Sequence, residues 1–386
     1  MSKLLDEEYA NAIRIYLDRT LCSSMEIENF ESMDLNSIKP LSKYIKSLAP
    51  DDFLFSTPLF VWWDLTSACN LRCIHCLYND SEYSAQHDFT TTEAMDLVDS
   101  LINDFRISGV VLTGGEIFLR RDTMDIIRKF KENNVSVRMA TNATLLNDQQ
   151  IDSLAEMLNP YVDGMQISLD GATEETYKKI RKTNLFEKVI ANIKKLADRN
   201  ITITIACTVN KVNYNEIEEV YKLSNELGVN CFVAGRMYAF NKSHDDLILS
   251  DRDLMILASK LLKLDTSDYK TKLVTGLFSN MELFTIPGIH EILKEDKYQI
   301  IFDKYKTPII RNCNCNDRLS IRSDGSVYMC MQAYGCKGAL MGNVRQTPIT
   351  EIWANRQNNI LFQWMHGACL SKIWKYKCAG ITLYNL

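Results

Sequence analysis

The chain has 386 residues, enough for one large α/β domain with a smaller appendage. Hydrophobic residues make up 46% and charged residues 24%, the balance of an ordinary globular protein rather than a disordered or fibrous one. A net charge of −5 leaves no basic surplus to neutralise phosphates, which excludes nucleic acid as a partner.

The N-terminus turns acidic at Asp6-Glu7-Glu8 before any apolar run forms, so no secretory signal is expected. No apolar run approaches the length of a membrane span, and no membrane partner is expected. These features predict a cytoplasmic, reducing location. There the 12 cysteines serve better as metal ligands or small buried hydrophobes than as disulfides.

Residues 1–52 read as a helical extension, with Leu4, Leu5, Tyr9, Ile13 and Leu17 near helical spacing. Residues 53–240 alternate short β-branched runs with amphipathic stretches. The strands predicted are Phe60–Asp64, Val110–Thr113, Ser136–Thr141, Gly164–Leu169, Ile201–Val209 and Asn230–Val233. The helices predicted between them are Thr92–Phe105, Thr123–Glu132, Asp148–Leu158, Leu185–Arg199 and Asn213–Leu227. Six such repeats predict an α/β fold, a partial (β/α)6 barrel with a parallel sheet, whose ligands sit at the C-terminal ends of the strands. Residues 241–310 read as a connecting helical segment, including Asp253–Leu264. Residues 311–386 form a small Cys-rich domain, in which Arg318–Arg322 and Val327–Met331 flank a turn at Ser323–Ser326 and predict a β-hairpin.

The chemistry concentrates after the first strand, at Cys69, Cys73 and Cys76 in a C-x3-C-x2-C spacing. Three thiolates in eight residues can wrap one cuboidal iron–sulfur cluster and leave one iron open to a small chelating ligand. A structural zinc knuckle is the alternative, with His75 as the nearby fourth ligand, although its place between Cys73 and Cys76 makes joint ligation awkward. Three more polar groups each follow a predicted strand: Thr113-Gly114-Gly115-Glu116, Thr141-Asn142-Ala143 and Ser168-Leu169-Asp170-Gly171. The two glycines let backbone approach a ligand closely. Asn142 could equally be a turn residue. Ser168 and Asp170 suit hydroxyl partners, and Arg181 suits a carboxylate or a surface ion pair. Thr208-Val209-Asn210 could close the site on one side or simply end a core strand.

This succession resembles the radical S-adenosylmethionine (SAM) superfamily. The resemblance implies a [4Fe–4S] cluster on Cys69, Cys73 and Cys76, with SAM chelating the open iron. It implies reductive cleavage of SAM to a 5′-deoxyadenosyl radical that abstracts hydrogen from substrate, fed by a flavodoxin- or ferredoxin-type electron donor. It implies SAM contacts from Gly114, Gly115, Glu116, Asn142, Ser168, Asp170 and Arg181. Two departures from the family pattern are Ile117 in place of Pro and Ala143 in place of Gly; with alanine there, a negative φ is expected. No catalytic acid or base stands out.

The tail resembles the SPASM extension of that superfamily: Cys315, nine residues, Gly325, four residues, Cys330, then Gly342-Asn343-Val344 and Ile352-Trp353. The later cysteine register decays, since Lys372 and Thr382 occupy two of its positions. The resemblance therefore implies one auxiliary [4Fe–4S] cluster, as in the shorter twitch form. Its ligands would come from Cys313, Cys315 and Cys330, with Cys336, Cys369 or Cys378 completing the set. A zinc site built from the same thiols is the alternative. By the same resemblance the leading substrate is a ribosomal peptide or protein, to be crosslinked, epimerised or oxidised. Any leader peptide would be bound by the barrel or by a separate protein. A small molecule, such as a tetrapyrrole side chain or a sugar alcohol, is the runner-up. A non-catalytic iron–sulfur electron-transfer or scaffold protein is the reading from another class.

Overall fold

The computed structural model describes residues 6–15, 57–76, 84–238, 242–277, 292, 318–329, 331, 334 and 338–359. Residues 7–15 form α1, which buries Tyr9, Ala10, Ala12 and Ile13. Then β1 (Phe60–Thr66), α2 (Thr91–Asn103), β2 (Gly109–Gly114), α3 (Thr123–Glu132), β3 (Ser136–Thr141) and α4 (Asp148–Met157) alternate. The pattern continues with β4 (Gly164–Ser168), α5 (Glu174–Arg181), α6 (Phe186–Asp198), β5 (Ile203–Val209), α7 (Ile217–Glu226) and β6 (Cys231–Arg236). After these come α8 (Asp251–Leu262), β7 (Lys272–Gly276), β8 (Arg318–Ile321), β9 (Ser326–Tyr328), β10 (Leu340–Asn343) and α9 (Ile349–Ala354).

Among the described residues all ten strands join one sheet, in the order β10-β9-β8-β1-β2-β3-β4-β5-β6-β7. Strands β1 to β7 are parallel neighbours, so the predicted parallel α/β architecture is present. The C-terminal ends of β1 to β6 therefore open on the same side, each followed by a loop. The core lies between strands and helices, where Trp63, Leu112, Phe130, Tyr177, Tyr221 and Phe232 are fully buried. Strand β5 shows why the sequence folds this way: every second residue from Ile203 to Val209 is buried. The helices start where the sequence says they should. Thr90 with Glu93 and Asn147 with Gln150 form capping boxes for α2 and α4.

Three features depart from the sequence expectation. The connecting segment, read as helical, also supplies β7, which extends the sheet beyond β6. Helix α5 lies within a stretch left unassigned, because only Tyr177 and Ile180 among its residues are large and apolar. The C-terminal hairpin forms as expected, β8 against β9 with Ser320 opposite Tyr328, but β8 also pairs in parallel with β1. The tail is thus stitched into the barrel sheet itself. Its turn needs Gly325, which sits at φ 87°. No helix among the described residues is long and apolar enough to cross a membrane.

Candidate active site at the strand ends

The loop after β1 carries Cys69, Cys73 and Cys76, all half-buried and free. Two parts of the fold hold it. Its Ile74 N–H donates to the Ile180 carbonyl at the end of α5 (3.0 Å). Its Asn70 side chain donates to Thr144 Oγ1 (2.8 Å) and accepts from Asn142 Nδ2 (3.0 Å). Buried His244, in the turn Lys242–Leu247, hydrogen-bonds the Cys76 backbone. Among the described residues, no three His, Cys, Asp or Glu side chains gather as tightly as a single metal ion requires. Ligands on separate irons of a cuboidal cluster stand farther apart than ligands of one ion.

The Gly114-Gly115-Glu116 loop lies directly against this cysteine loop. Gly115 N–H donates to the Thr66 carbonyl (2.7 Å) and Glu116 N–H to the Ala68 carbonyl (2.9 Å). A Cβ on Gly115 would lie 2.1 Å from the Ala68 oxygen, and one on Gly114, at φ 126°, 2.3 Å from the Thr66 oxygen. The sequence reading had these glycines admitting a ligand; in the structure the backbone they admit is that of the cysteine loop.

Glu116 is fully buried. It accepts from Phe118 N (3.2 Å) and Thr141 Oγ1 (2.7 Å) on one oxygen and from Asn142 N (2.7 Å) on the other. Burial raises its pKa, and these donors work against that rise. Its carboxylate therefore ties the loop after β2 to the loop after β3. The second loop holds one reversal of expectation: Ala143 sits at φ 57°, in the left-handed region. Hydrogen bonds impose the turn. Ala143 N–H donates to Thr141 Oγ1 (2.9 Å), Thr144 N–H to Asn142 Oδ1 (2.9 Å), and Asn192 Nδ2 donates to the Ala143 carbonyl (2.8 Å).

Asp170, just past β4, is fully buried. Its Oδ2 meets Arg181 Nη2 (2.6 Å) and His75 Nε2 (2.7 Å), while Oδ1 accepts from Thr208 N (2.7 Å). Burial would raise its pKa, but Arg181 and His75 outweigh that and hold it at about 2. Arg181 reaches further, placing Nη1 3.5 Å from Cys73 Sγ. Burial disfavours its charge, yet Asp170 and Cys73 more than compensate and its pKa is raised. Its Nε is buried without a partner. Ser168 ends β4 half-buried. Burial also pushes the Cys69 thiol up to about 11 and raises that of Cys73. Cluster loading would then release protons from both.

The site thus gathers Gly114, Gly115, Glu116, Asn142, Asp170 and Arg181 around the three cysteines. Sequence reasoning missed Asn70, Thr144 and Tyr177, and gave His75 no partner. The one signal available for Tyr177 was its place four residues before Arg181. Cys313, Cys315, Cys330, Cys336, Cys369 and Cys378 lie outside the described residues.

Comparison with known proteins agrees with this architecture. Residues 63–224 match the model of the radical SAM superfamily, and residues 313–378 that of the SPASM iron–sulfur cluster-binding domain. The AdoMet-dependent heme synthase of Methanosarcina barkeri is 26% identical over 308 residues, 78% of this chain and 84% of that protein. SuiB of Streptococcus suis superposes with a TM-score of 0.66 at 16% identity, over 90% of this chain and 78% of SuiB. It has also been solved bound to its precursor peptide SuiA. The enzyme anSMEcpe, solved with AdoMet and the peptide Kp18Cys, superposes with a TM-score of 0.56 at 17% identity, over 82% of this chain and 84% of its own. This chain belongs to the radical SAM superfamily: it is an enzyme that uses SAM and a [4Fe–4S] cluster, with a C-terminal SPASM domain for auxiliary cluster chemistry.

Proposed function

We propose that Cys69, Cys73 and Cys76 hold the [4Fe–4S] cluster and that the enzyme abstracts hydrogen from a ribosomal peptide or protein. When bound, cluster and SAM together supply hydrogen-atom abstraction from an unactivated C–H bond. The chain's own residues prepare the place for it. The Leu71 N–H lies 3.4 Å from Cys69 Sγ, and the Arg181 cation lies beside Cys73, so both thiols have a donor that favours the thiolate. The unpartnered Arg181 Nε supports this reading, because a buried guanidinium N–H calls for an acceptor such as the SAM carboxylate. Asp170 fixes that guanidinium and His75 together. Glu116 and Asn142 brace the loops behind the cysteines, and Gly114 and Gly115 let those loops touch. Ser168, half-buried at the end of β4, would bond a SAM hydroxyl.

The peptide reading rests on one observation. The likeness to SuiB, a protein solved with its precursor peptide, extends over 90% or more of this chain. One auxiliary cluster, held by Cys313, Cys315 and Cys330 with a fourth ligand from Cys336, Cys369 or Cys378, completes the proposal. A flavodoxin- or ferredoxin-type donor would supply electrons, and a separate protein could present a leader. A second reading, a tetrapyrrole-class small molecule, is favoured by the 26% identity to a heme synthase over 78% of the chain.

The test is anaerobic reconstitution with iron and sulfide, reduction, and assay for 5′-deoxyadenosine by mass spectrometry. Two substrates are offered: any short peptide encoded beside the gene, and a porphyrin carrying propionate groups. A mass change in the peptide, absent when all three cysteines are alanine, supports the leading reading. Turnover of the porphyrin alone moves the assignment to the second. No 5′-deoxyadenosine from a protein with a full, reducible cluster would sink both.

A further inference from the structure

Helix α5 presents a second unpartnered polar group to the cysteine loop. Tyr177 and Arg181 are four residues apart and so share a face of α5. The Ile74 N–H, bonded to the Ile180 carbonyl, fastens the cysteine loop to the same end of that helix. Tyr177 is 0% exposed, and its hydroxyl has no hydrogen-bond partner. Its ring is held against Phe186, with centroids 5.5 Å apart. The titratable groups whose fields reach it are Arg181, Cys73, Asp170 and Glu116. Burial raises its pKa to about 12, so the hydroxyl stays a donor at any working pH.

A buried hydroxyl without a partner is destabilising, because its lost hydration is not replaced. The neighbouring acceptors are already engaged. Asp170 is occupied by Arg181, His75 and Thr208, and Glu116 by Phe118, Thr141 and Asn142. No protein acceptor pairs with this hydroxyl, so an acceptor brought by the cofactors would satisfy it, and Arg181 on the same helix face lies 3.5 Å from Cys73 Sγ.

We propose that the Tyr177 hydroxyl donates a hydrogen bond to a sulfur on the Cys73 side of the loaded cluster and so raises its reduction potential. A hydrogen bond to cluster sulfur favours the more negative, reduced state. The inference rests on the assignment of Cys69, Cys73 and Cys76 as ligands. A full-length wild type that takes up no SAM-responsive cluster would defeat that assignment first.

The experiment compares the reconstituted full chain with its Tyr177→Phe variant, without SAM, by potentiometric titration followed by EPR. The relevant signal is the one that later changes on adding SAM. With equal iron content, the variant should show a reduced-to-oxidised ratio three- to tenfold lower at a fixed potential. The tenfold limit corresponds to 59 mV for one electron. The unloaded variant should melt at the same temperature as the unloaded wild type or higher, because it loses no protein hydrogen bond. Loss of iron from a variant that melts normally when unloaded would also support a contact with the cluster. An unchanged potential at full iron content overturns the proposal, and weakened SAM binding in that case assigns the hydroxyl to SAM instead. A lower melting temperature of the unloaded variant overturns it too, by revealing a protein partner.

Discussion

Glu116 shows how a side chain can be essential to a site through its neighbours. It accepts three hydrogen bonds from the loops after β2 and β3, with no exposure to solvent. A neutral replacement of the same shape does not substitute for it. In Glu116→Gln, an amide NH2 must face either the Asn142 N–H or the Thr141 and Phe118 donors, because both oxygens now accept. One donor is left facing another, at a cost of roughly 1–3 kcal/mol. The expected outcome is a lower denaturation midpoint for unloaded Glu116→Gln, even though the change removes a buried charge; an unchanged midpoint would mean the network contributes nothing. The letters of this site were readable in advance: the three cysteines, Gly114 to Glu116, Asp170 and Arg181. Their partners were not. A buried carboxylate takes its donors from whichever backbone packs beside it, and that is set by the meeting of β2, β3 and β4. Ala143 makes the same point, since alanine argues against positive φ and four flanking hydrogen bonds overrule it.

At the scale of elements, the six core strands were legible because β-branched runs and amphipathic helices alternate regularly. Helix α5 was not, since its sequence is dominated by charge, with Glu174 and Glu175 opening and Lys178, Lys179 and Arg181 closing. Those charges match the helix dipole, and Thr173 caps the start with its side chain on the Thr176 N–H. Strand β7 escaped notice because Lys272–Gly276 is short and only half-buried. The contact between the loops after β1 and β2 makes a sharp prediction. Gly115→Ala would drive a methyl group against the Ala68 carbonyl, 2.1 Å away, and backbone cannot step aside as a flexible side chain can. The cysteine loop should shift, and the variant should incorporate far less iron at its SAM-responsive cluster. Gly276→Ala is the control, because its nearest contact would be a tolerable 3.4 Å from the Ala234 oxygen. Equal iron in both variants would refute the idea that loop-to-loop contact sets the cysteine geometry.

Across the whole molecule, the tail strands join the barrel by the parallel pairing of β8 with β1 and by a set of bonds centred on Arg345. That side chain donates to the carbonyls of His87 and Asp88 near the start of α2, to the Asp324 carbonyl in the hairpin turn, and to the Glu93 carboxylate. Its guanidinium also lies over the Phe89 ring, 4.8 Å from the centroid. One residue thus connects β10, the hairpin turn and the first barrel helix. Arg345 is the main cause of a Glu93 pKa near 2, well below its usual value. A depressed carboxylate pKa contributes stability that is present above the unfolded value and lost as pH falls through the folded one. Because both side chains are partly exposed, the ion pair itself contributes only about 1 kcal/mol. Arg345→Ala should therefore speed amide exchange in β8, β9 and β10 and in residues 85–93, while β3 to β5 exchange as before. The stability difference between wild type and variant should narrow as pH drops from about 4.5 towards 2, and narrow again in high salt. Uniformly faster exchange across all strands would mean that the tail and barrel unfold as one unit, with Arg345 contributing to the whole rather than joining two parts.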